Sequence, residues 1–232
     1  MGGEDRIQKI NILYSDRYIA ACVKPAGVPC ESADQNATTV LDMLKAEFAE
    51  KGQTYVAPVH RLDQVTEGVM IFSLSPKATG KLSESIASKE VKKQYLTVIH
   101  GEPETREGEL HDILFRDPKK NKTFVVNRER KGTRQAALCY EVIATIEDER
   151  FGKLSLLRID LITGRTHQIR AQFSSRGMPL LGDGKYGAKD NFPFVALLSH
   201  KISLSHPESR KLLEFSYSPP DIFPWNAFGF SR

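Results

Sequence analysis

Hydrophobic periodicity in this chain alternates between strand and helix from one end to the other, and that alternation restricts its fold more than any other feature. Leu154, Leu156, Arg158 and Asp160 interleave with Ser155, Leu157, Ile159 and Leu161, a two-residue period that predicts a strand over Lys153 to Leu161. Tyr18 to Val23, Val69 to Leu74, Tyr95 to Ile99, Ala136 to Ile143 and Val195 to Leu204 also have strand character. The first of these runs into Lys24-Pro25-Ala26-Gly27, a Pro/Gly stop. Helices fall between. Thr38 or Thr39 can cap one running to about Lys51, with Val40, Leu41, Leu44 and Phe48 on one face and Gly52 at the stop. Ser75-Pro76 opens a second through Leu82 and Ile86. Thr163-Gly164 is a turn into a third, over Thr166 to Phe173. The tail from Pro219-Pro220 to Pro224-Trp225 is expected to be an extended strap. There is no internal repeat, low-complexity tract or linker, so we expect one mixed α+β domain over residues 1–232, with a core at about 11–220.

Composition excludes several classes. With 232 residues, 40% of them hydrophobic, the chain can bury a core without staples. Cys22, Cys30 and Cys139 form no C-x-x-C pair and read as free thiols in a reducing compartment. No Cys/His cluster has metal-ligand spacing, so no metal is expected. Met1 to Arg6 carries no apolar leader, and apolar runs such as Ile19 to Val23 are too short to span a membrane. A cytoplasmic location follows as the expectation. The net charge of +4 is small, but its distribution is not even. Arg116 to Arg134 holds eight basic and two acidic residues, interrupted by Phe124, whereas Glu102 to Glu109 holds four acidic and one basic. The basic stretch reads equally well as a phosphate-contacting hairpin and as a solvated loop.

Gly182-Asp183-Gly184-Lys185-Tyr186-Gly187 satisfies G-x-G-x-x-G. A dinucleotide site needs that loop to open a helix, and Pro193 leaves little room for one. Tyr186 after the lysine also excludes a phosphate-binding P-loop. Three other segments carry more chemistry. The first is His60-Arg61-Leu62-Asp63-Gln64-Val65-Thr66-Glu67-Gly68, with a carboxylate beside an arginine and before a glycine-closed turn. The second is Lys92-Lys93-Gln94-Tyr95, a tyrosine opening a strand after two lysines. The third is Thr163-Gly164-Arg165-Thr166-His167-Gln168-Ile169-Arg170, with two arginines, a histidine and a glutamine in one turn-to-helix segment. Taken singly, each also reads as a surface ion pair, a strand tyrosine or a basic helix start.

Taken together, in this order, the segments resemble the RluA-type pseudouridine synthases. The resemblance includes Asn11 to Asp16, Val23 to Gly27, His60 to Gly68, Lys93 to Tyr95 with Val98 to Gly101, and Thr163 to Arg170. It continues through Gly177 to Asp183, Tyr186-Gly187, His206-Pro207 and the Pro219-Pro220 tail. It implies a uridine-to-pseudouridine isomerase with a mixed, largely antiparallel sheet and flanking helices around a catalytic cleft. It places the catalytic aspartate at Asp63, the active-site tyrosine at Tyr95 and the basic residue pairing with the aspartate at Arg165. Members often carry an N-terminal S4-like RNA-binding domain; here the pattern begins near Asn11, and no such domain is expected. Glu67 replaces the common serine, and Leu198 stands where many members have histidine, departures that bear on substrate choice.

The chemistry fits these residue types. The N1–C1′ bond breaks, the base turns and C5 rejoins C1′, with no redox change and no water consumed, so no cofactor is demanded. A carboxylate can attack C1′ or take a proton from C2′. A guanidinium favours its ionised form with bidentate geometry that lysine lacks. Tyr95 can stack on the uracil, and the target uridine must leave its stack at a cost of a few kcal/mol. Arg61 is suited to fill the gap left behind, and Lys93, His167 and Arg170 to hold phosphates. The expected partner is ribosomal or transfer RNA, with a monomeric protein and no obligate protein partner. Two rivals stand beside this reading. A non-catalytic RNA-binding protein on the same fold would lack Asp63, Tyr95 or Arg165, and all three are present. A nucleotide-cofactor enzyme built on the Gly182 turn would need a helix after Gly187.

Overall fold

A computed structural model describes residues 9–34 and 36–229; Met1 to Arg6, read above for a leader, lies outside them. The described residues form eleven strands and three α-helices. In chain order these are β1 (Asn11–Ser15), β2 (Ile19–Lys24), α1 (Val40–Ala49), β3 (Ala57–Pro58), β4 (Glu67–Ser73), α2 (Pro76–Ala87), β5 (Lys92–His100), β6 (Glu107–Asp117) and β7 (Lys122–Val126). There follow β8 (Thr133–Asp148), β9 (Gly152–Leu161), α3 (Gln168–Ser174), β10 (Leu197–Ser205) and β11 (Leu212–Ser216), with 3-10 turns at Gly184–Tyr186 and Trp225–Phe228. The architecture is α+β, as the periodicity predicts, with few helices and the mixed, mostly antiparallel sheet that the resemblance implies. The chain divides into two compact units, one ending at Val91 and completed by Ser203–Phe215, the other comprising Lys92–Ile202 and the chain from Ser216 onward.

In the first unit β2 lies between β1 and β4, antiparallel to both, with Lys24 opposite Gly68 at one end and Ile19 opposite Ser73 at the other. Every residue of β2 is buried, and so are Gly68 to Ser73 of β4. Burial on both faces is why these strands read as continuous apolar runs instead of alternating. Thr39 caps α1 through a reciprocal box with Asp42, and Ser75 caps α2 by accepting the Ala78 N–H. The helices place Val40, Leu44, Phe48, Ala78 and Leu82 in the interior.

In the second unit β5 pairs with β9, β9 with β8, β8 with β6 and β6 with β7, all antiparallel. Leu96, Val98, Leu154, Leu156, Leu181, Leu198 and Trp225 form its main core cluster. Each fully buried leucine there contributes roughly 1.5–3 kcal/mol. Trp225 shows how the tail is held: after an extended Pro219-Pro220 stretch, a short 3-10 turn drops its indole onto that core. The Arg116 to Arg134 stretch comprises the β6–β7 hairpin, the loop over residues 127–132 and the start of β8. At Gly182 the backbone has φ +80°, and an added Cβ would fall 1.8 Å from the Phe194 carbonyl oxygen, so only glycine fits. A single 3-10 turn, not a helix, follows it.

Candidate active site

Asp63 sits in the loop between β3 and β4, half-buried, with Leu62 buried before it and Arg61 exposed. Local hydrogen bonds fix this loop from both sides. The Thr66 N–H donates to the Asp63 carbonyl at 3.0 Å, closing the turn. The Gly27 N–H donates to the Gln64 carbonyl at 2.9 Å, and the Gln64 side chain donates back to the Gly27 carbonyl at 2.8 Å. Cys30 accepts from the Leu62 N–H at 3.3 Å and donates to its carbonyl at 3.2 Å. His60 Nε2 accepts from the Ile71 N–H at 3.0 Å, tying the segment before Asp63 to β4.

Lys24 is the residue that sequence reasoning left without a role. Its side chain is fully buried, and its ammonium donates to the carbonyls of Pro25 at 2.7 Å, Val28 at 2.7 Å and Gln64 at 2.9 Å. One buried cation therefore staples the Pro25–Val28 turn to the residue after Asp63. Burial pushes the Lys24 ammonium down to about 8, with Cys30, Asp63 and Glu67 acting the other way. The visible signal was a lysine ending an otherwise apolar strand immediately before Pro-Ala-Gly.

Tyr95, on β5 opposite Ile159, is 7% exposed. Burial pushes the Lys93 ammonium down to about 8. Arg165 is exposed in the turn between β9 and α3, and its Nε donates to the Gln135 carbonyl at 3.1 Å. Gln168 organises that turn. Its Oε1 accepts from the Arg165 N–H at 3.0 Å and from Thr163 Oγ1 at 2.8 Å, while its Nε2 donates to the Ala137 carbonyl at 3.1 Å. Gln168 is 3% exposed, so a buried amide holds the backbone that presents Arg165.

His167 takes a left-handed conformation at φ 54°, and its Nδ1 lies 2.9 Å from the Tyr186 hydroxyl. That geometry starts α3 at Gln168 instead of Thr166, two residues later than the periodicity predicts. Arg170, expected to meet phosphate, points inward instead. It is 3% exposed, with Nε and one Nη donating to the two oxygens of buried Asp183 at 2.7 and 2.8 Å. A fork already filled by a buried carboxylate is a structural ion pair.

Asp63 thus belongs to the first unit, and Tyr95 and Arg165 to the second. Each stands on a segment locked by its own hydrogen bonds. A carboxylate on a fixed loop suits nucleophilic or base chemistry, a phenol suits stacking, and a presented guanidinium suits anion pairing.

A family model for RNA pseudouridylate synthases matches residues 18–175, a span that includes Asp63, Tyr95 and Arg165. The uncharacterized RNA pseudouridine synthase YhcT of Bacillus subtilis is 31% identical over 208 residues, covering 88% of this chain and 67% of that protein. The dual-specificity RNA pseudouridine synthase RluA of Haemophilus influenzae is 27% identical over 214 residues, covering 89% of this chain and 92% of that protein. Among solved structures, human RNA pseudouridylate synthase domain containing 1 superposes with a TM-score of 0.79 at 19% identity, covering 98% of this chain and 90% of that one, and shares the fold. The fold, the order of the motifs and these relatives lead to one conclusion: the chain belongs to the RNA pseudouridylate synthase family, as an RNA pseudouridine synthase of the RluA type.

Proposed function

We propose that the protein converts specific uridines of ribosomal or transfer RNA to pseudouridine, with Asp63 as the catalytic carboxylate acting on a flipped-out uridine. The observation that carries this is the loop around Asp63, clamped by Lys24, Gln64 and Cys30 in a chain of this family. A nucleophile or base held this firmly loses little entropy on reaching the reacting geometry. One relative is named a dual-specificity RNA pseudouridine synthase and another a ribosomal large subunit pseudouridine synthase, and the second name supports ribosomal RNA as a substrate class.

In this reading residues 1–232 are a single catalytic domain, and the family match over 18–175 takes in Asp63, Tyr95 and Arg165. Tyr95 stacks on the uracil, and Arg165 is the basic residue that the family pattern assigns to the catalytic aspartate. Arg61, exposed beside Asp63, fills the space left by the flipped base. Lys93 and His167 hold phosphates, and Arg170 drops out of that group. Either Asp63 attacks C1′ as the N1–C1′ bond breaks and is displaced when C5 bonds to C1′, or it takes a proton from C2′ as N1 leaves and returns that proton as C5 bonds to C1′. The base turns in between, the C5 proton leaves and N1 gains one. The result is an isomer, so no redox cofactor, metal or water is consumed. The protein acts as a cytoplasmic monomer without an obligate protein partner.

The test is purified protein on ribosomal and transfer RNA transcripts, with pseudouridine mapped chemically. Asp63→Asn should yield no product while still retarding the RNA on a gel. Full activity in that variant sinks the assignment.

A further inference from the structure

A second polar site lies in the first unit, away from the Asp63 loop. It is a cavity of about 350 Å³ formed by the β1–β2 turn and the turn leading into β11. That volume lies near the lower end of ligand sites, enough for a phosphodiester and its sugar. The β1–β2 turn is at the Ile19 end of β2, whereas the Asp63 loop is stapled at the Lys24 end. Five steps along a strand separate these ends by roughly 17 Å.

The cavity's charges are unevenly satisfied. Its acid, Asp16, is turned into the fold. One oxygen accepts the Tyr18 and Ile19 N–H groups at 2.7 and 2.9 Å, and the other accepts the Tyr14 hydroxyl and His206 Nε2, each at 2.8 Å. Burial opposes its ionisation, but those four donors outweigh it and hold the carboxyl below its ordinary value. His206 in turn accepts the Glu208 and Ser209 N–H groups on Nδ1 at 3.2 and 2.9 Å. One Asp–His pair thus fixes both turns against each other. Nearby Glu208 is shared by Lys77 at 3.3 Å and Lys81 at 3.1 Å. Arg17 and Lys211, by contrast, are exposed on the cavity wall, and neither has an ion-pair partner among the described residues. Tyr14, Tyr18 and Ser209 complete the wall, the Ser209 hydroxyl being engaged with His206 Nδ1 at 3.0 Å.

Two exposed cations without ion-pair partners, beside two phenol rings and on turns locked by a buried hub, are suited to a sugar-phosphate backbone. We propose that Arg17 and Lys211 form a phosphate-binding site for RNA at the end of the first unit opposite the Asp63 loop. It rests on the reading that RNA is the substrate, and it gives the enzyme a contact with RNA beyond the flipped uridine.

The experiment uses the full chain and the Arg17→Gln/Lys211→Gln double variant. Both side chains are exposed, so the variant should match the wild type in urea midpoint. Binding of bulk transfer RNA is followed by fluorescence anisotropy from 50 to 300 mM salt. Amide resonances are followed by NMR during titration with inorganic pyrophosphate. We expect the variant to bind RNA about five- to tenfold more weakly at low salt, with the slope of log K against log salt shallower by roughly one to two, as befits one or two lost phosphate contacts. Pyrophosphate should shift the Tyr18, Ser209 and Lys211 amides of the wild type only. Unchanged affinity and slope overturn the site, and pyrophosphate shifts without loss of RNA affinity overturn the RNA assignment in favour of a free phosphate. Product formation on the same RNA separates the two readings. A wild type that forms pseudouridine beside a variant that binds normally leaves the enzyme reading standing and removes this one. A wild type that forms none, beside a variant that loses affinity, does the reverse.

Discussion

At the scale of a residue, Lys24 shows how a charge can be spent on geometry. Its ammonium serves three carbonyls, one of which belongs to the residue after Asp63. Lys24→Met should therefore loosen the Asp63 loop, lowering single-turnover pseudouridine formation at least tenfold, roughly the effect of a small misplacement of a reacting group. RNA affinity should stay within about twofold, since the side chain is buried. Equal losses in rate and affinity would make Lys24 a general support of the fold. The same residue sets a pH dependence. Its pKa falls from 10.5 in the unfolded chain to about 8 in the fold, so between those values the unfolded state binds more protons. Unfolding free energy must then rise with pH across that window, and the burial penalty is fully present below pH 8. Measured by urea denaturation, the wild type should gain stability relative to Lys24→Met from pH 8 to pH 10.5, by an amount on the order of 3 kcal/mol. Cys22, pushed up to about 12 by burial, acts in the opposite direction but is common to both proteins and cancels in the difference. A flat difference would mean that Lys24 titrates normally.

At the scale of elements, the Arg165 turn depends on the β6–β7 hairpin. Thr123 of β7 donates its hydroxyl to the Thr166 carbonyl at 2.8 Å and its N–H to the Tyr186 hydroxyl at 2.8 Å, and that same hydroxyl faces His167 Nδ1. Tyr186→Phe deletes a hydroxyl that a buried N–H needs, so thermal or urea unfolding should show a loss of about 1–3 kcal/mol. Thr123→Val, which keeps the N–H, should lose only about 1 kcal/mol. A Tyr186→Phe loss no larger than that of Thr123→Val would show that the hydroxyl is not the joint. These bonds also explain what sequence could and could not disclose. Thr39 and Ser75 announced their helices because a cap is a local event within three residues. The late start of α3 was hidden because His167 is held left-handed by Tyr186, 19 residues away. Strand β6 went unread because Glu107, Glu109, His111, Asp112, Arg116 and Asp117 make it look like a loop, whereas β7 lies within the stretch read as either hairpin or loop. Asp63, Tyr95 and Arg165 stood out through motif order, whereas Arg170 misled, because Asp183 fills its guanidinium only once the chain has folded. Lys24 and Gln168 were invisible in their roles since each works through backbone atoms distant in sequence.

At the scale of the whole molecule, a net charge of only +4 must yield local fields strong enough to hold RNA. The β6–β7 turn is one source. Asp117 accepts the Lys119 and Lys120 N–H groups at 2.9 and 3.1 Å, so its acid shapes the turn, while those two side chains are exposed. Lys122 differs. Its ammonium donates to the Lys185 carbonyl at 2.6 Å and lies 4.8 Å from the Tyr186 ring centroid, so reversing its charge would disturb the fold as well as any RNA contact. The informative variant is therefore Lys119→Glu/Lys120→Glu. It should weaken transfer RNA binding and flatten the salt slope by roughly one to two, with unfolding unchanged. Combined with Arg17→Gln/Lys211→Gln, the losses in log K should add if one RNA occupies both regions at once and the sites are independent. A combined loss no greater than the larger single loss would mean that the two regions bind different RNA molecules, or the same segment alternately. Unchanged binding in the Lys119/Lys120 variant would return the hairpin to a solvated surface and leave RNA recognition to the segments around Asp63 and the Arg17 turn.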